Sequence, residues 1–369
     1  MRRRRAVLGR ELERHGISYA LVYGGNRSGS AVMWLTGWPV TREALLVMAP
    51  GQDDDVLLVS FFNHVPQARR LSAARVEWAG TSAVATALDL IAARGRLPSQ
   101  IGLAGPLPFD QYRLLAGQVP DVVDLNAACT RLRLVKSGEE MAALRRGAAL
   151  SDAAITALAG ALRPGATDHE VLAATERAYT AQGGLHHIHY LGIGPMDQPA
   201  LAVPAQWPTG RVICPGDVIT CEISAAAVPD YAGQVLRTFT VGTPPTALYS
   251  ELHAVAAAAY DAIAAILMPG VRAADLAAAA SLIEQAGFTA IDDLAHGFGG
   301  GYLPPVVPAP GRSLPAPDFT LAAGMTVVVQ PNIVTPDGRA GVQTGELLLV
   351  TEHGPQRLHA YPQGLQQMG

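Results

Sequence analysis

The sequence predicts an α+β protein of two domains: an amino-terminal α/β domain, then a duplicated α+β domain with an antiparallel sheet. Three observations support this. The chain has 369 residues, which is long for one hydrophobic core. Strand and helix patterns alternate in the first third, and a capping box at Ser137 and Glu140 then opens a long helix. A Pro-Gly break between helices occurs at 161–170 and again at 268–272, which indicates an internal repeat.

The first third is predicted to form a mixed sheet with helices packed on it. Apolar patterns indicate helices at 4–15, 82–95 and 109–117 and strands at 17–24, 31–37, 43–49, 55–61 and 101–105. Neither a G-x-G-x-x-G motif nor a P-loop follows any of these strands. A nucleotide-binding site is therefore not expected.

The rest of the chain is predicted to form the second domain, and we place the boundary between residues 134 and 135. Two helices follow the boundary, and a β-rich region begins after Pro215. Strands are predicted at 216–228, 231–242, 324–334 and 341–354, and Ala-rich helices at 246–267 and 272–286.

Composition excludes several classes of function. The net charge is −4 and the pI is about 6.2, so no broad basic surface is expected for nucleic acid. No apolar run is long enough to span a membrane, and the basic start lacks the apolar segment of a signal peptide, so we expect a cytoplasmic protein. Lys136 is the only lysine and lies in a linker, which argues against Schiff-base chemistry. The three cysteines form no CxxC pair.

Several sequence motifs occur in an order that resembles a known superfamily. The motifs are GDVITCEIS (216–224), YAGQVLRTFTVG (231–242), HGFG (296–299), GMTVVVQPNIV (324–334) and GVQTGELLLVTEHG (341–354). Together they resemble the creatinase/aminopeptidase P/prolidase superfamily, which has the pita-bread fold and is similar to peptidase family M24. Residues 4–22 resemble its amino-terminal domain. The resemblance implies a creatinase/prolidase-like domain at 1–134, a pita-bread domain at 135–369 and a homodimer.

The resemblance also implies a site for two metal ions, held in the metallopeptidases by two aspartates, a histidine and two glutamates. The matching positions here are Glu222, Gln234, His296, Gln330 and, for the last glutamate, Gly345 or a close neighbour. Two ions need several carboxylates to balance their charge, and an amide is a poor substitute. Glu346 follows Gly345, but strand alternation turns it to the other face. We therefore expect no metal and no other cofactor.

Together with the resemblance, which includes creatinases that hydrolyse a C–N bond with histidine and glutamate alone, these residues imply a metal-independent, creatinase-like enzyme that hydrolyses a C–N bond of a small polar metabolite. Glu222 and His296 would supply acid and base, and a lyase or isomerase using the same pair is a variant of this hypothesis. The substrate-binding candidates are Gln234, Gln330, Tyr231, Tyr302 and Asn332.

A histidine cluster in GGLHHIHYLGIG (183–194) supplies two further catalytic candidates. The resemblance implies a catalytic histidine before the strand at 216–228, and PALAVPAQWPTGR (199–211) contains none. In an extended strand, His187 and His189 share one face and His186 points the other way. We therefore name His187 and His189 as candidates. The pair could also bind zinc, although no third ligand is identifiable, or form a plain cluster on a strand edge.

Two other functions stay open at this point. The first is a non-catalytic binding protein in which Gln234 and Gln330 only satisfy each other's hydrogen bonds. The second is a metallo-aminopeptidase whose ligands lie at positions other than those matched above, which would contain manganese, cobalt or zinc.

Overall fold

The computed structural model describes residues 1–26, 31–52, 54–309 and 316–369. The chain consists of two units, Met1–Arg133 and Leu134–Gly369. Within the described ranges, no helix combines the length and the apolar character that crossing a membrane requires.

The first unit contains a six-stranded mixed sheet with the order β4-β3-β2-β1-β5-β6. Its strands are β1 (Ala20–Gly25), β2 (Glu43–Met48), β3 (Val56–Val59), β4 (Arg75–Trp78), β5 (Gln100–Ala104) and β6 (Asp121–Asp124). Its helices are α1 (Arg2–Arg14), α2 (Ala31–Thr36), α3 (Val65–Leu71), α4 (Ala83–Ala93), α5 (Phe109–Ala116) and α6 (Asn126–Leu134). The pairs β1–β2 and β2–β3 are antiparallel, and the other pairs are parallel.

The strand predicted at 31–37 is wrong, because Ala31–Thr36 forms the helix α2. Val32, Trp34 and Leu35 are all buried, and the hydroxyl of Thr36 donates to the carbonyl of Val32 at 2.7 Å. A short apolar run is compatible with a buried strand or a buried helix turn, and its periodicity does not decide between them.

The second unit contains a nine-stranded sheet, and the strand order along its main path is β12-β11-β13-β15-β9-β8-β7. The strands of this unit are β7 (Leu185–Pro195), β8 (Asp217–Val228), β9 (Tyr231–Val241), β10 (Thr289–Ala290), β11 (Ala295–Phe298), β12 (Tyr302–Val307), β13 (Thr326–Val329), β14 (Ile333–Val334), β15 (Gly345–Thr351), β16 (Gly354–Arg357) and β17 (Gln366–Met368). Of these, β10 and β14 form a separate two-stranded sheet, β16 pairs with β15, and β17 pairs with β9. Its helices are α7 (Gly138–Ala161), α8 (Asp168–Thr180), α9 (Ala247–Ala265), α10 (Ala273–Ala279) and α11 (Leu282–Gln285). The predicted fold class is confirmed: strands neighbouring along the main path pair antiparallel, and helices cover the sheet.

The helix α7 packs directly on β8 and β9, and this packing decides which side chains face away from the helices. Cys221 and Ile223 of β8 belong to the same core cluster as Leu150 and Leu158 of α7. Because successive side chains of a strand alternate, Glu222 points to the opposite face. Helix and strand approach so closely that a Cβ atom on Gly233 would lie 2.3 Å from the Cα of Ala148.

The predicted capping box at the start of α7 is present. The hydroxyl of Ser137 accepts from the backbone N–H of Glu140 at 3.4 Å, and the Glu140 carboxylate accepts from the backbone N–H of Ser137 at 2.9 Å. These bonds satisfy backbone donors that the first helical turn leaves unpaired.

We expect Ser137→Ala to lower the free energy of unfolding of the second unit by about 1 kcal/mol, because one of these caps is lost. Chemical denaturation measures the change. Thr156→Ala is the control, since it removes an exposed hydroxyl from the same helix, far from its amino-terminal cap. Equal effects of the two substitutions would contradict a capping role.

Candidate functional site

Two glutamine side chains form the centre of the candidate site. Gln234 lies on β9 and Gln330 directly follows β13, and both are buried. The Nε2 group of Gln234 donates to Oε1 of Gln330 at 2.8 Å. Nε2 of Gln330 donates in turn to Oδ2 of Asp292 at 3.3 Å. The two amides thus fix each other and connect β9 to the segment before β11.

Glu222 is a buried carboxyl group on the same face of the sheet as Gln234. Ser224 pairs directly with Gln234, and Glu222 lies two residues before Ser224 on β8. Burial raises the pKa of Glu222 to about 8, and the charge of Asp292 contributes to the rise. The raised pKa favours the neutral carboxylic acid, which can donate a hydrogen bond or a proton.

His296 is a buried imidazole on β11 whose tautomer follows from its hydrogen bond. Its Nδ1 lies 3.2 Å from the carbonyl oxygen of Gly297, which can only accept, so Nδ1 carries the proton and Nε2 has the lone pair. Burial lowers the pKa of His296 to about 4, although the Gly297 carbonyl, Asp293 and Gln330 all oppose the change. The ring is therefore neutral at pH 7 and can accept a hydrogen bond.

Tyr302 covers the ring of His296. The two rings stack with their centroids 4.1 Å apart and an angle of 20° between their planes. The hydroxyl of Tyr302 donates to Oδ2 of Asp293 at 2.5 Å, and burial and Asp293 raise the pKa of Tyr302. Tyr302 is 56% exposed, and its ring lies over His296, which is only 1% exposed.

The other two substrate-binding candidates differ in their surroundings. The side-chain oxygen and nitrogen of Asn332 are buried and have no hydrogen-bond partner among the described residues. An unpaired buried amide costs about 1–3 kcal/mol, which a polar ligand could offset. Tyr231 instead donates its hydroxyl to Oε1 of Glu140 at 2.8 Å. The structure therefore places Tyr231 at the capping box of α7, and a role in substrate binding is not supported by this contact.

The prediction that His187 and His189 share a face is wrong. His186 pairs with Ala225 and Ile188 pairs with Ser224, so one extra residue stands in β7. This bulge reverses the alternation and puts His186 and His189 together, with ring centroids 4.6 Å apart. His187 lies edge-on to Phe298, which itself contacts His296 edge-on. Of the two catalytic candidates, only His187 lies on the side of His296.

Sequence reasoning missed Asp292 and Asp293. Asp292 accepts from Gln330 and acts on Glu222, while Asp293 accepts from Tyr302. Both occur in AIDDLAH (290–296), three and four residues before His296. Two adjacent carboxylates in an apolar segment directly before a candidate histidine were a usable signal.

Comparison with known proteins assigns the chain to a family. Residues 142–352 match the model of metallopeptidase family M24, and residues 4–135 match the creatinase/prolidase N-terminal domain. The first match covers more than half of the chain. The protein therefore belongs to metallopeptidase family M24.

Curated relatives carry peptidase names. The chain is 29% identical over 241 residues to the probable dipeptidase PepE of Mycobacterium tuberculosis, a match that covers 64% of this chain and 61% of the relative. It thus spans about three fifths of that relative's length. It is 28% identical over 256 residues to the Xaa-Pro dipeptidase of Lactobacillus helveticus, with 67% of each chain covered.

Solved structures show the same fold. The dipeptidase PepE of Mycobacterium ulcerans superposes with a TM-score of 0.82 at 23% identity, covering 99% of this chain and 97% of the other. The prolidase of Pyrococcus horikoshii superposes with a TM-score of 0.81 at 19% identity, and the match covers 98% of this chain and 100% of the other.

The comparisons correct the functional prediction. The relatives are named as dipeptidases, and the matching family is one of metallopeptidases. The interpretation as a creatinase-like, metal-free enzyme is therefore wrong. The alternative of an M24 metallo-aminopeptidase, whose ligands lie at positions other than those matched from the sequence, agrees better with these relatives.

The family implies two metal ions, but the five matched positions do not fit such a centre in this chain. The amides of Gln234 and Gln330 bond to each other. A Cβ atom on Gly345 would lie 2.3 Å from the carbonyl oxygen of Val329, so no ligand side chain fits there. Glu346 is held by Arg237 at 2.6 Å and by Arg357. Among the described residues, one group of three histidine, cysteine or acidic side chains has possible metal-ligating atoms within 4.8 Å of one another. That group lies away from these five positions.

Proposed function

We propose that the protein hydrolyses the amide C–N bond of a dipeptide or a related small peptide, with Glu222 and His296 at the reaction centre. One observation carries the proposal. Both groups are buried and both act on Tyr302, which stacks on the ring of His296 and whose pKa is raised by burial and in part by the charge of Glu222; burial raises the pKa of Glu222 and lowers that of His296. Paired groups whose pKa values are shifted in opposite directions are typical of acid–base sites.

The protonation states give each group a role. The protonated carboxyl of Glu222 would donate a proton to the leaving nitrogen of the substrate. The Nε2 lone pair of the neutral His296 ring would accept a proton from the attacking water as the new C–O bond forms, and the C–N bond breaks as Glu222 protonates the leaving nitrogen. Transfer of the proton from His296 to Glu222 through solvent would restore both groups. Asn332 supplies a buried amide that has no hydrogen-bond partner among the described residues and suits the peptide group of a substrate.

We further propose that this chain is an M24 member in which the ligand set of the family is not assembled. The glutamine pair at 234 and 330 and the absence of a side chain at 345 support this. The relatives support the class of substrate, since their names describe dipeptidases. The homodimer and the cytoplasmic location expected from the sequence stay predictions.

A dipeptide panel tests the proposal. The purified full-length chain is incubated with Xaa-Pro and non-prolyl dipeptides, in buffer alone and with manganese, cobalt or zinc added, and the released amino acids are quantified. We expect turnover of at least one dipeptide within the usual enzymatic range of about 1–10³ s⁻¹. If dipeptides raise the melting temperature and no condition releases an amino acid, the protein binds peptides without cleaving them and the proposal fails.

A further inference from the structure

Glu176, His186 and His189 form a cluster of metal-ligating groups outside the candidate site. Glu176 lies on α8, and the two histidines lie on β7. One carboxylate oxygen and one nitrogen of each ring lie within 4.8 Å of one another. Oε1 of Glu176 is 3.7 Å from Nδ1 of His186, and the hydroxyl of Tyr179 is 3.5 Å from the same nitrogen.

The cluster depends on the bulge in β7. Regular alternation would point His186 and His189 to opposite faces of the sheet, because they are three residues apart. The extra residue, His187, brings both rings to the face covered by α8. The ring of Tyr179 on α8 contacts His189 edge-on, with centroids 5.3 Å apart. The cluster therefore lies on the face of the sheet opposite to Glu222.

His189 supplies a buried lone pair. Its Nδ1 lies 2.5 Å from the carbonyl oxygen of Ile188, which can only accept, so Nδ1 carries the proton. Its Nε2 then has the lone pair, is buried, and has no hydrogen-bond partner in the described ranges. The residue is 8% exposed, and burial lowers its pKa to about 4, so the ring is neutral. A carbonyl on the far nitrogen is the arrangement that orients metal-binding histidines.

We propose that Glu176, His186 and His189 bind one divalent transition-metal ion of the zinc, cobalt or nickel type. Two imidazoles and one carboxylate suit these ions better than Mg²⁺ or Ca²⁺, which prefer oxygen ligands alone. Glu176 and His186 are exposed, with side-chain accessibilities of 52% and 41%, so an ion can enter and water can complete a four-coordinate site. The bound ion joins α8 to β7.

Cobalt titration of the full-length chain tests this site. The protein is stripped with a chelator and titrated with Co²⁺, followed by its visible absorption, and Zn²⁺ is then added as a competitor. We expect one equivalent of four-coordinate Co²⁺ and a higher melting temperature when it is bound. His186→Ala or Glu176→Gln should weaken binding at least about 10- to 100-fold, since each removes one ligand. Both residues are exposed, so these variants are expected to fold.

Two controls locate the ion. His187→Ala changes the neighbouring histidine on the opposite face and should bind Co²⁺ like the wild type. His296→Ala should also retain the visible absorption band of bound Co²⁺. That result distinguishes this metal site from the proposed reaction centre, so either proposal can fail without the other. The proposal is overturned if no Co²⁺ binds, if His186→Ala and Glu176→Gln bind as tightly as the wild type, or if His187→Ala or His296→Ala abolishes the band.

Discussion

Replacing Glu222 by glutamine is expected to lower kcat/KM for dipeptide hydrolysis by about 10²–10⁴-fold. Glutamine keeps the size and the hydrogen-bonding capacity of the protonated side chain but cannot release a proton to the leaving nitrogen. His296→Asn should cause a loss of similar size, because it removes the group that accepts a proton from the attacking water. The double variant should lose little more kcat/KM than either single variant, because the effects of groups that act as a unit are not additive. Steady-state kinetics on the best dipeptide measures all three.

Ser224→Ala is the matched control for Glu222→Gln. Ser224 lies two residues along β8 on the same face, and its buried hydroxyl has no hydrogen-bond partner among the described residues. Its removal should leave kcat/KM within a few-fold of the wild type. An equal loss in both variants would show that disturbance of β8, and not a lost proton donor, explains the effect of Glu222→Gln.

Replacing Arg237 by methionine is expected to destabilise the second unit by about 3–5 kcal/mol. Arg237 is buried on β9 and bonds to the carboxylate of Glu346, which is fully buried, and to the carbonyls of Gly345, Tyr361 and Pro362. Its loss leaves the buried carboxylate of Glu346 paired with Arg357 instead of with two guanidinium groups, and it removes the donor to three carbonyl groups. Hydrogen exchange of the amides in β8 and β9 reports the free energy of opening for this unit.

Arg357→Met is the control, because Arg357 contacts the same carboxylate but its side chain is 45% exposed. Arg357→Met should lower the free energy of unfolding of the second unit clearly less than Arg237→Met does. The double variant Arg237→Met/Glu346→Leu should recover part of the stability, since no buried charge is then left alone. A loss below about 1 kcal/mol for Arg237→Met would contradict the view that this ion pair stabilises the sheet.

The fold was predictable because its signals are local and repeated. Apolar periodicity marked β1, β2 and β3, and the Ser137–Glu140 spacing marked the start of α7. The strand predicted at 31–37 was wrong because a run of five apolar residues carries no decisive period. Which strands pair depends on contacts distant in sequence, and the motif order indicated those pairings only through the family resemblance.

The candidate site was predictable only in part. The hydrogen bond between Gln234 and Gln330 is the contact expected under the binding-protein alternative, in which these amides satisfy each other's hydrogen bonds. The faces of His186 and His189 were not predictable, because one inserted residue in β7 reverses the alternation and leaves no mark in composition. The metal-free, creatinase-like function was wrong because it was inferred from the replaced ligands alone, without the peptidase relatives.

The most direct test of the central claim is hydrolysis of one dipeptide in ¹⁸O-labelled water. Water attack at the peptide carbonyl puts one ¹⁸O atom into the carboxylate of the released amino-terminal residue, and mass spectrometry detects it. The proposed function predicts this label with the wild-type chain and Ser224→Ala, and a loss of about 10²-fold or more with Glu222→Gln. Absence of labelled product from the wild-type chain, or undiminished labelling by Glu222→Gln, would contradict a hydrolase with Glu222 at its reaction centre.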